Sequence, residues 1–216
     1  MKTNDKKKSV LIIANGEPPG DDLLQNLVDQ SDFIIAADGG SNICFQKNIY
    51  PDFIIGDLDS IEKHVLDHFK FCEIIKIVDQ ESHDLDKAIQ FVKTLKPEII
   101  RVTAAFGKRF DHSLANLLLL QTRYKELPLV FHDQYGCLSM ISGKYELNDP
   151  VGRIVSLFSF LPVFGLSLTG FQYSLDNMDY PNGFSGLSNV IKQKHPMIRL
   201  RKGSLFLYIT NENIKS

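Results

Sequence analysis

The sequence predicts an α/β fold: a mostly parallel sheet with flanking helices, Rossmann-like in type, followed by a small all-β sandwich. Three observations carry that expectation. From residue 10 to about Asp133, short apolar runs alternate with helical patterns, the signature of a parallel sheet covered by helices. Beyond about Tyr135 the helical period disappears, and short apolar segments are punctuated by Gly, Pro, Asn and Asp. The chain has 216 residues, 44% apolar with 15 Phe, enough to bury the core of one large domain or two modest ones. The expected division is residues 1–137 and 138–216.

The elements follow in order. Strand-like runs stand at 10–14, 33–37, 53–55, 74–78, 99–103 and 129–131. Between the fourth and fifth, Leu85, Ala88, Ile89, Val92 and Leu95 recur at helical spacing, and Pro97 closes that helix. Leu114, Leu117, Leu118 and Gln121 begin a second helix after Asp111. In the last third, 139–141, 144–147, 154–160 and 205–209 read as strands. No internal repeat and no low-complexity stretch occurs.

Charge and cysteine content narrow the function. The formal net charge is −2 with both signs interspersed, so the basic footprint that nucleic-acid binding needs is lacking and a small-molecule partner is expected. Cys44, Cys72 and Cys137 are odd in number and never spaced as C-x-x-C, which predicts reduced, cytoplasmic thiols rather than a disulfide framework or a zinc cage. The Lys-rich start (Lys2, Lys6, Lys7, Lys8) precedes an apolar run of only 10–14 before Asn15-Gly16-Glu17, which reads as a strand and not an export signal. The stretch 154–168 is interrupted by Ser156, Ser159, Pro162 and Gly165 and falls short of the roughly 20 residues a membrane helix needs. A soluble protein with no membrane partner is expected.

Four places could carry chemistry. Asp57-Leu-Asp59 follows a strand through Gly56, and in an extended backbone both carboxylates point to the same side, where they can share a hard cation such as Mg²⁺ bridging phosphates. An ordinary strand-ending turn is the competing reading. Asp84 and Lys87 lie one helical turn apart, so a carboxylate and an ammonium share a face. They could grip metal and phosphate, or Asp84 and Asp86 could merely complement the helix dipole. Arg109 and Asp111 stand at a helix start after Gly107, suited to phosphate oxygens and a ribose or base, or equally to a surface charge and a cap. Asp38-Gly-Gly-Ser-Asn42 is strand, glycines, helix, which lets backbone approach a ligand, yet it is neither the dinucleotide fingerprint nor a P-loop. His64 and His68 at i, i+4 read as a solvated helix face, and no nucleophile motif supports covalent catalysis.

Taken in order, Asp38-Gly-Gly-Ser-Asn42, Pro51-Asp-Phe-Ile-Ile-Gly-Asp-Leu-Asp-Ser60, Asp79-Gln80 with Asp84-Leu-Asp-Lys87, and Gly107-Lys-Arg-Phe-Asp-His112 resemble the motif series of the thiamine pyrophosphokinase family. Thr169-Gly-Phe-Gln-Tyr-Ser-Leu175 and Ser188-Asn189 extend the resemblance into the β domain, so it covers most of the chain. It implies transfer of diphosphate from ATP to thiamine with Mg²⁺, in a homodimer whose active sites lie between subunits. It implies a metal and phosphate site at Asp57, Asp59 and Asp84, and ATP contacts from Asp38, Gly39, Asn42, Asp57, Lys87, Arg109 and Asp111. Arg109 joins the three metal-site aspartates as the catalytic set. Gln80, Tyr173, Ser188 and Asn189 would receive thiamine. Tyr173 stands where many relatives carry Trp, His83 where Thr is common and Lys108 where a second Gly is common, so local contacts differ. The rival acceptor is a pterin alcohol, against which the β domain argues; a nucleotide sensor without turnover has no need of Asp57, Asp59, Asp84 and Arg109 together.

Overall fold

The computed structural model describes residues 8–79 and 82–213, and they form two compact units. One takes the chain up to Asn116 together with Leu127–Gln134; the other takes Leu117–Glu126 and everything from Tyr135 onward. Gln80 and the lysines at positions 2, 6 and 7 lie outside the described residues.

In the first unit, β1 (Ser9–Ile13), β2 (Phe33–Ala37), β3 (Phe53–Gly56), β4 (Glu73–Lys76), β5 (Ile99–Thr103) and β6 (Leu129–His132) pair in parallel in the order β6-β5-β1-β2-β3-β4. The sequence reading placed each of these strands within two residues of its observed ends. The reason is physical: a strand covered on both faces must be apolar at every position, and Val10, Leu11, Ile12 and Ile13 have no exposed surface. Four such side chains contribute about 1.5–3 kcal/mol each from burial.

Helices α1 (Asp21–Asp29), α2 (Gly40–Gln46), α3 (Lys63–His68), α4 (Asp84–Thr94) and α5 (Phe110–Arg123) connect the strands. In α4 the buried residues Leu85, Ala88, Ile89 and Val92 follow the spacing of one helix face, and Asp84 and Asp86 occupy the first turn, where the helix dipole favours negative charge. Successive strands β1 to β4 step outward in one direction, and β5 returns to the other side of β1. Strand order therefore reverses between β1 and β5, and an open α/β sheet binds its ligand at the carboxyl ends of the strands at such a reversal.

The second unit is all-β apart from the end of α5. One sheet has the order β12-β9-β14-β7, formed by β7 (Gly136–Ile141), β9 (Arg153–Ser159), β12 (Phe184–Val190) and β14 (Leu205–Asn213). The other has the order β11-β10-β13-β8, formed by β8 (Lys144–Glu146), β10 (Val163–Thr169), β11 (Leu175–Tyr180) and β13 (Met197–Arg199). Val155, Leu157, Leu205 and Leu207 from the first sheet cluster with Val163, Leu166, Leu168 and Ile198 from the second, the interior of a sandwich. The apolar stretch 154–168 is two strands in different sheets. At the corner, the Ser159 hydroxyl accepts from the Leu161 N–H at 3.1 Å and from Gln121 Nε2 at 2.6 Å, and the Phe160 N–H donates to Gln121 Oε1 at 3.0 Å. Among the described residues no helix is long and apolar enough to cross a membrane.

Candidate active site

The loop after β3 is built around Asp38. This residue ends β2 in the left-handed region (φ 44°) and has no exposed surface. Its Oδ1 accepts the Leu58 N–H at 2.8 Å and its Oδ2 the Ser60 N–H at 3.3 Å. Leu58 itself has φ 74°, a conformation an L-residue adopts only when its surroundings enforce it. Gly56 is required beneath the loop, because a Cβ there would stand 2.7 Å from the Asp38 Cβ. Asn42, in the first turn of α2, clamps the far side: its Nδ2 donates to the Ser60 carbonyl at 2.9 Å and its Oδ1 accepts the Glu62 N–H at 3.3 Å.

Held this way, Asp57 is half-buried and Asp59 is exposed. One carboxylate oxygen from each of Asp38, Asp57 and Asp59 falls within 4.8 Å of the others. Burial, and then the charge of Asp84, raise the carboxyl of Asp38 above its ordinary range, against the hydrogen bonds from the loop. Asp38 has no exposed surface, so Asp57 and Asp59 are the pair whose carboxylates reach the solvent side. Their hard oxygen donors fit Mg²⁺, which takes one or two carboxylates and completes its shell with water and phosphate oxygens.

Asp84 reaches the same place through Lys87. The Lys87 ammonium is 2% exposed and donates to Asp57 Oδ2 at 3.0 Å and Asp84 Oδ1 at 3.1 Å. Burial works against the charge on Lys87, but the hydrogen bonds it donates to Asp57 and Asp84 outweigh it, and its pKa is raised. The Lys87 hydrogen bond holds Asp57 below the usual carboxylate range. The sequence pairing of Asp84 with Lys87 thus stands, and the structure adds Asp57, thirty residues away in the chain.

An open cleft of about 500 Å³ lies at the carboxyl ends of β1 and β5, where the strand order reverses. Asn15 and Gly16 line it from the end of β1, Gly107, Lys108 and Arg109 from the end of β5, and Ser60, His83 and Asp84 from its acidic side. The Arg109 guanidinium is bidentate on Asp111, with Nε to Oδ1 at 3.1 Å and Nη2 to Oδ2 at 2.5 Å, and that partner takes the Asp111 carboxyl down to about 2. Two of the five guanidinium donors are used; the rest are available to phosphate oxygens. Gly39 is fixed by contact, since a Cβ there would collide with the Asn15 side chain.

Sequence reasoning gave Asn15 no role in the cleft and marked Lys108 only as a departure from the family pattern; the structure joins the two. Lys108 (φ 50°) donates to the Asn15 carbonyl at 2.9 Å and to its Oδ1 at 3.3 Å. The available signal was Asn-Gly directly after a fully apolar first strand, a turn at a sheet's carboxyl end.

In the second unit, Tyr173 is 63% exposed and lines a pocket of about 350 Å³ with Asn189, Leu175, Phe184 and Leu187. Asn189 is buried and spends its amide on the loop: Oδ1 accepts the Tyr173 N–H at 3.0 Å and Nδ2 donates to the Tyr173 carbonyl at 2.8 Å. Ser188 sits at φ 55° with its N–H bonded to the Ser156 hydroxyl at 3.0 Å and does not line that pocket. The geometry therefore gives Asn189 the task of fixing the backbone of the loop that carries Tyr173.

Comparison with known proteins agrees along the chain. Residues 24–131 match the family described as thiamin pyrophosphokinase, catalytic domain, and residues 144–205 match the thiamin pyrophosphokinase vitamin B1 binding domain. The chain is 26% identical to thiamine pyrophosphokinase of Bacillus subtilis (strain 168) over 208 residues, spanning 93% of this chain and 97% of the relative. It is 30% identical to thiamine pyrophosphokinase 1 of Arabidopsis thaliana over 195 residues, 74% of this chain and 71% of the relative. Among solved structures, thiamine pyrophosphokinase from Bacillus subtilis superposes with a TM-score of 0.82 at 25% identity, covering 95% of this chain and all of that one. Thiamin pyrophosphokinase from Candida albicans shares the fold with a TM-score of 0.82 at 19% identity, over 96% of this chain and 90% of that one.

Proposed function

The chain belongs to the thiamine pyrophosphokinase family, and from that premise we propose that it is an ATP-dependent diphosphotransferase that makes thiamine diphosphate and AMP from thiamine and ATP. The observation that carries the reading is the pairing of a family-matched acidic, cationic cleft in the first unit with a family-matched pocket in the second.

In the reaction, the thiamine hydroxyl attacks the β-phosphorus of ATP. The bond from that phosphorus to the α,β-bridging oxygen breaks, AMP carries the electron pair away, and the hydroxyl proton is lost. There is little covalent work for the protein, so positioning and charge compensation dominate. Asp57, Asp59 and Asp84 would hold Mg²⁺, which when bound neutralises charge on the phosphate oxygens. Arg109, oriented by Asp111, supplies donors at the cleft mouth. Lys87 supplies its third N–H beside the same aspartates.

In the same proposal Gly39, Asn42, Lys87 and Asp111 complete the ATP surroundings, while Tyr173, Ser188, Asn189 and Gln80, which lies outside the described residues, serve thiamine. The exposed Tyr173 ring can stack on a flat cationic heterocycle, worth about 0.5–2 kcal/mol. The enzyme acts as a homodimer that shares each site between subunits, and its three cysteines, none of them in a disulfide, suit the cytosol.

The test is incubation with ATP and Mg²⁺ and either thiamine or a hydroxymethylpterin. Thiamine diphosphate should form in the first and no pterin diphosphate in the second. ATP bound with no turnover of thiamine would make the protein a nucleotide sensor.

A further inference from the structure

We propose that Asp38 is a positioning residue that sets the metal site by gripping the loop that carries Asp57 and Asp59, and that it does not touch ATP itself. This rests on the diphosphotransferase reading above and assigns Asp38 a different task within it. The carboxylate has no exposed surface, so no ligand in the cleft reaches it. Both its oxygens are directed at the Leu58 and Ser60 amides, the residues on either side of Asp59.

The loop needs such a grip. Leu58 is held at φ 74° and Asp38 at φ 44°, conformations that cost an L-residue free energy and persist only when over-determined. The backbone at Asp38 is itself anchored on both sides: its N–H donates to the Ile55 carbonyl at 2.8 Å, and its carbonyl accepts the Ser41 hydroxyl at 2.7 Å. Asn42 ties down Ser60 from its carbonyl side and Glu62 beyond it. A metal ion needs its carboxylates already placed, because a ligand displaced by an ångström costs binding rather than folding.

The variants Asp38→Asn and Asp38→Ala separate this from the alternatives. Asn keeps one acceptor for two amides, whereas Ala keeps none. Activity should show the Mg²⁺ concentration for half-saturation rising about fivefold in Asp38→Asn and further in Asp38→Ala. The KM for ATP at saturating Mg²⁺ should stay within about twofold of the parent. Mn²⁺ binding in the presence of a non-hydrolysable ATP analogue, followed by electron paramagnetic resonance, should weaken in parallel. Should both variants unfold, Asn42→Ala, which frees only the Ser60 carbonyl and Glu62 N–H, should shift Mn²⁺ binding in the same direction by a smaller factor. A folded variant with unchanged Mn²⁺ binding, or with an ATP KM raised at saturating Mg²⁺, overturns the assignment. A parent protein that binds Mn²⁺ with the analogue yet makes no thiamine diphosphate sinks the reaction while leaving the grip intact; one that binds no Mn²⁺ sinks both.

Discussion

Lys87 lies inside the protein with its charge intact because two carboxylates share it. Removing either one leaves the other, so Asp57→Asn and Asp84→Asn should each fold while losing turnover strongly, as should Asp59→Asn, which plays no part in the pairing. Removing both is different. The double variant leaves a buried ammonium without a counter-charge, and denaturant unfolding should show it less stable than either single variant. Near-normal turnover in all three single variants at saturating Mg²⁺ would show the metal site to be elsewhere.

The same trio predicts a pH window. Asp57 is held below its ordinary pKa, so its contribution to stability is present above its unfolded value, near pH 4, and is lost as pH falls through the folded value. Lys87 is raised above its ordinary value, so its contribution is present below about pH 10.5 and is lost as pH rises through the folded value. The difference in thermal midpoint between the parent and Lys87→Met should therefore be flat between about pH 5 and 9 and should close on the acid side. A difference that persists undiminished at pH 2 would contradict the pairing.

At the scale of elements, the central parallel strands such as β1 were legible because double-sided burial writes itself as unbroken apolar runs. The strands β10, β11, β12 and β13 were not. In β11, Asp176, Asn177, Met178 and Asp179 face largely outward at the sheet's edge, so no alternation appears. In β12, Gly186 precedes a register shift, and Ser185, Leu187 and Ser188 are exposed. The candidate site divides the same way. Asp57 with Asp59 at a strand end, and Asp84 with Lys87 one helical turn apart, stood out as candidates, but spacing alone favoured a turn and a dipole charge, and only the motif series pointed to a site. The burial of Asp38 was not legible, because Asp-Gly at a strand end has the composition of a solvent turn. Nor was the bond from Asn189 to Tyr173, which joins β12 to the loop between β10 and β11. The exposed Tyr173 ring in its pocket carries its own prediction. Tyr173→Ala should raise the KM for thiamine severalfold, leave ATP affinity nearly intact, and be partly rescued by Tyr173→Trp, which offers a larger face. An unchanged thiamine KM would make Tyr173 a packing residue.

For the whole molecule, the proposed homodimer has a consequence that a monomer cannot share. If each site draws on two subunits, mixing Tyr173→Ala with Asp57→Asn should restore some activity through hybrid dimers with one intact site. Proven subunit exchange without recovery would put each site in a single chain. The most direct measurement concerns the nucleotide released. With ATP, Mg²⁺ and thiamine, and with nucleotide and thiamine products separated and counted, AMP and thiamine diphosphate should appear one for one, because the β- and γ-phosphates move as a unit. Stoichiometric ADP with thiamine monophosphate would contradict the account.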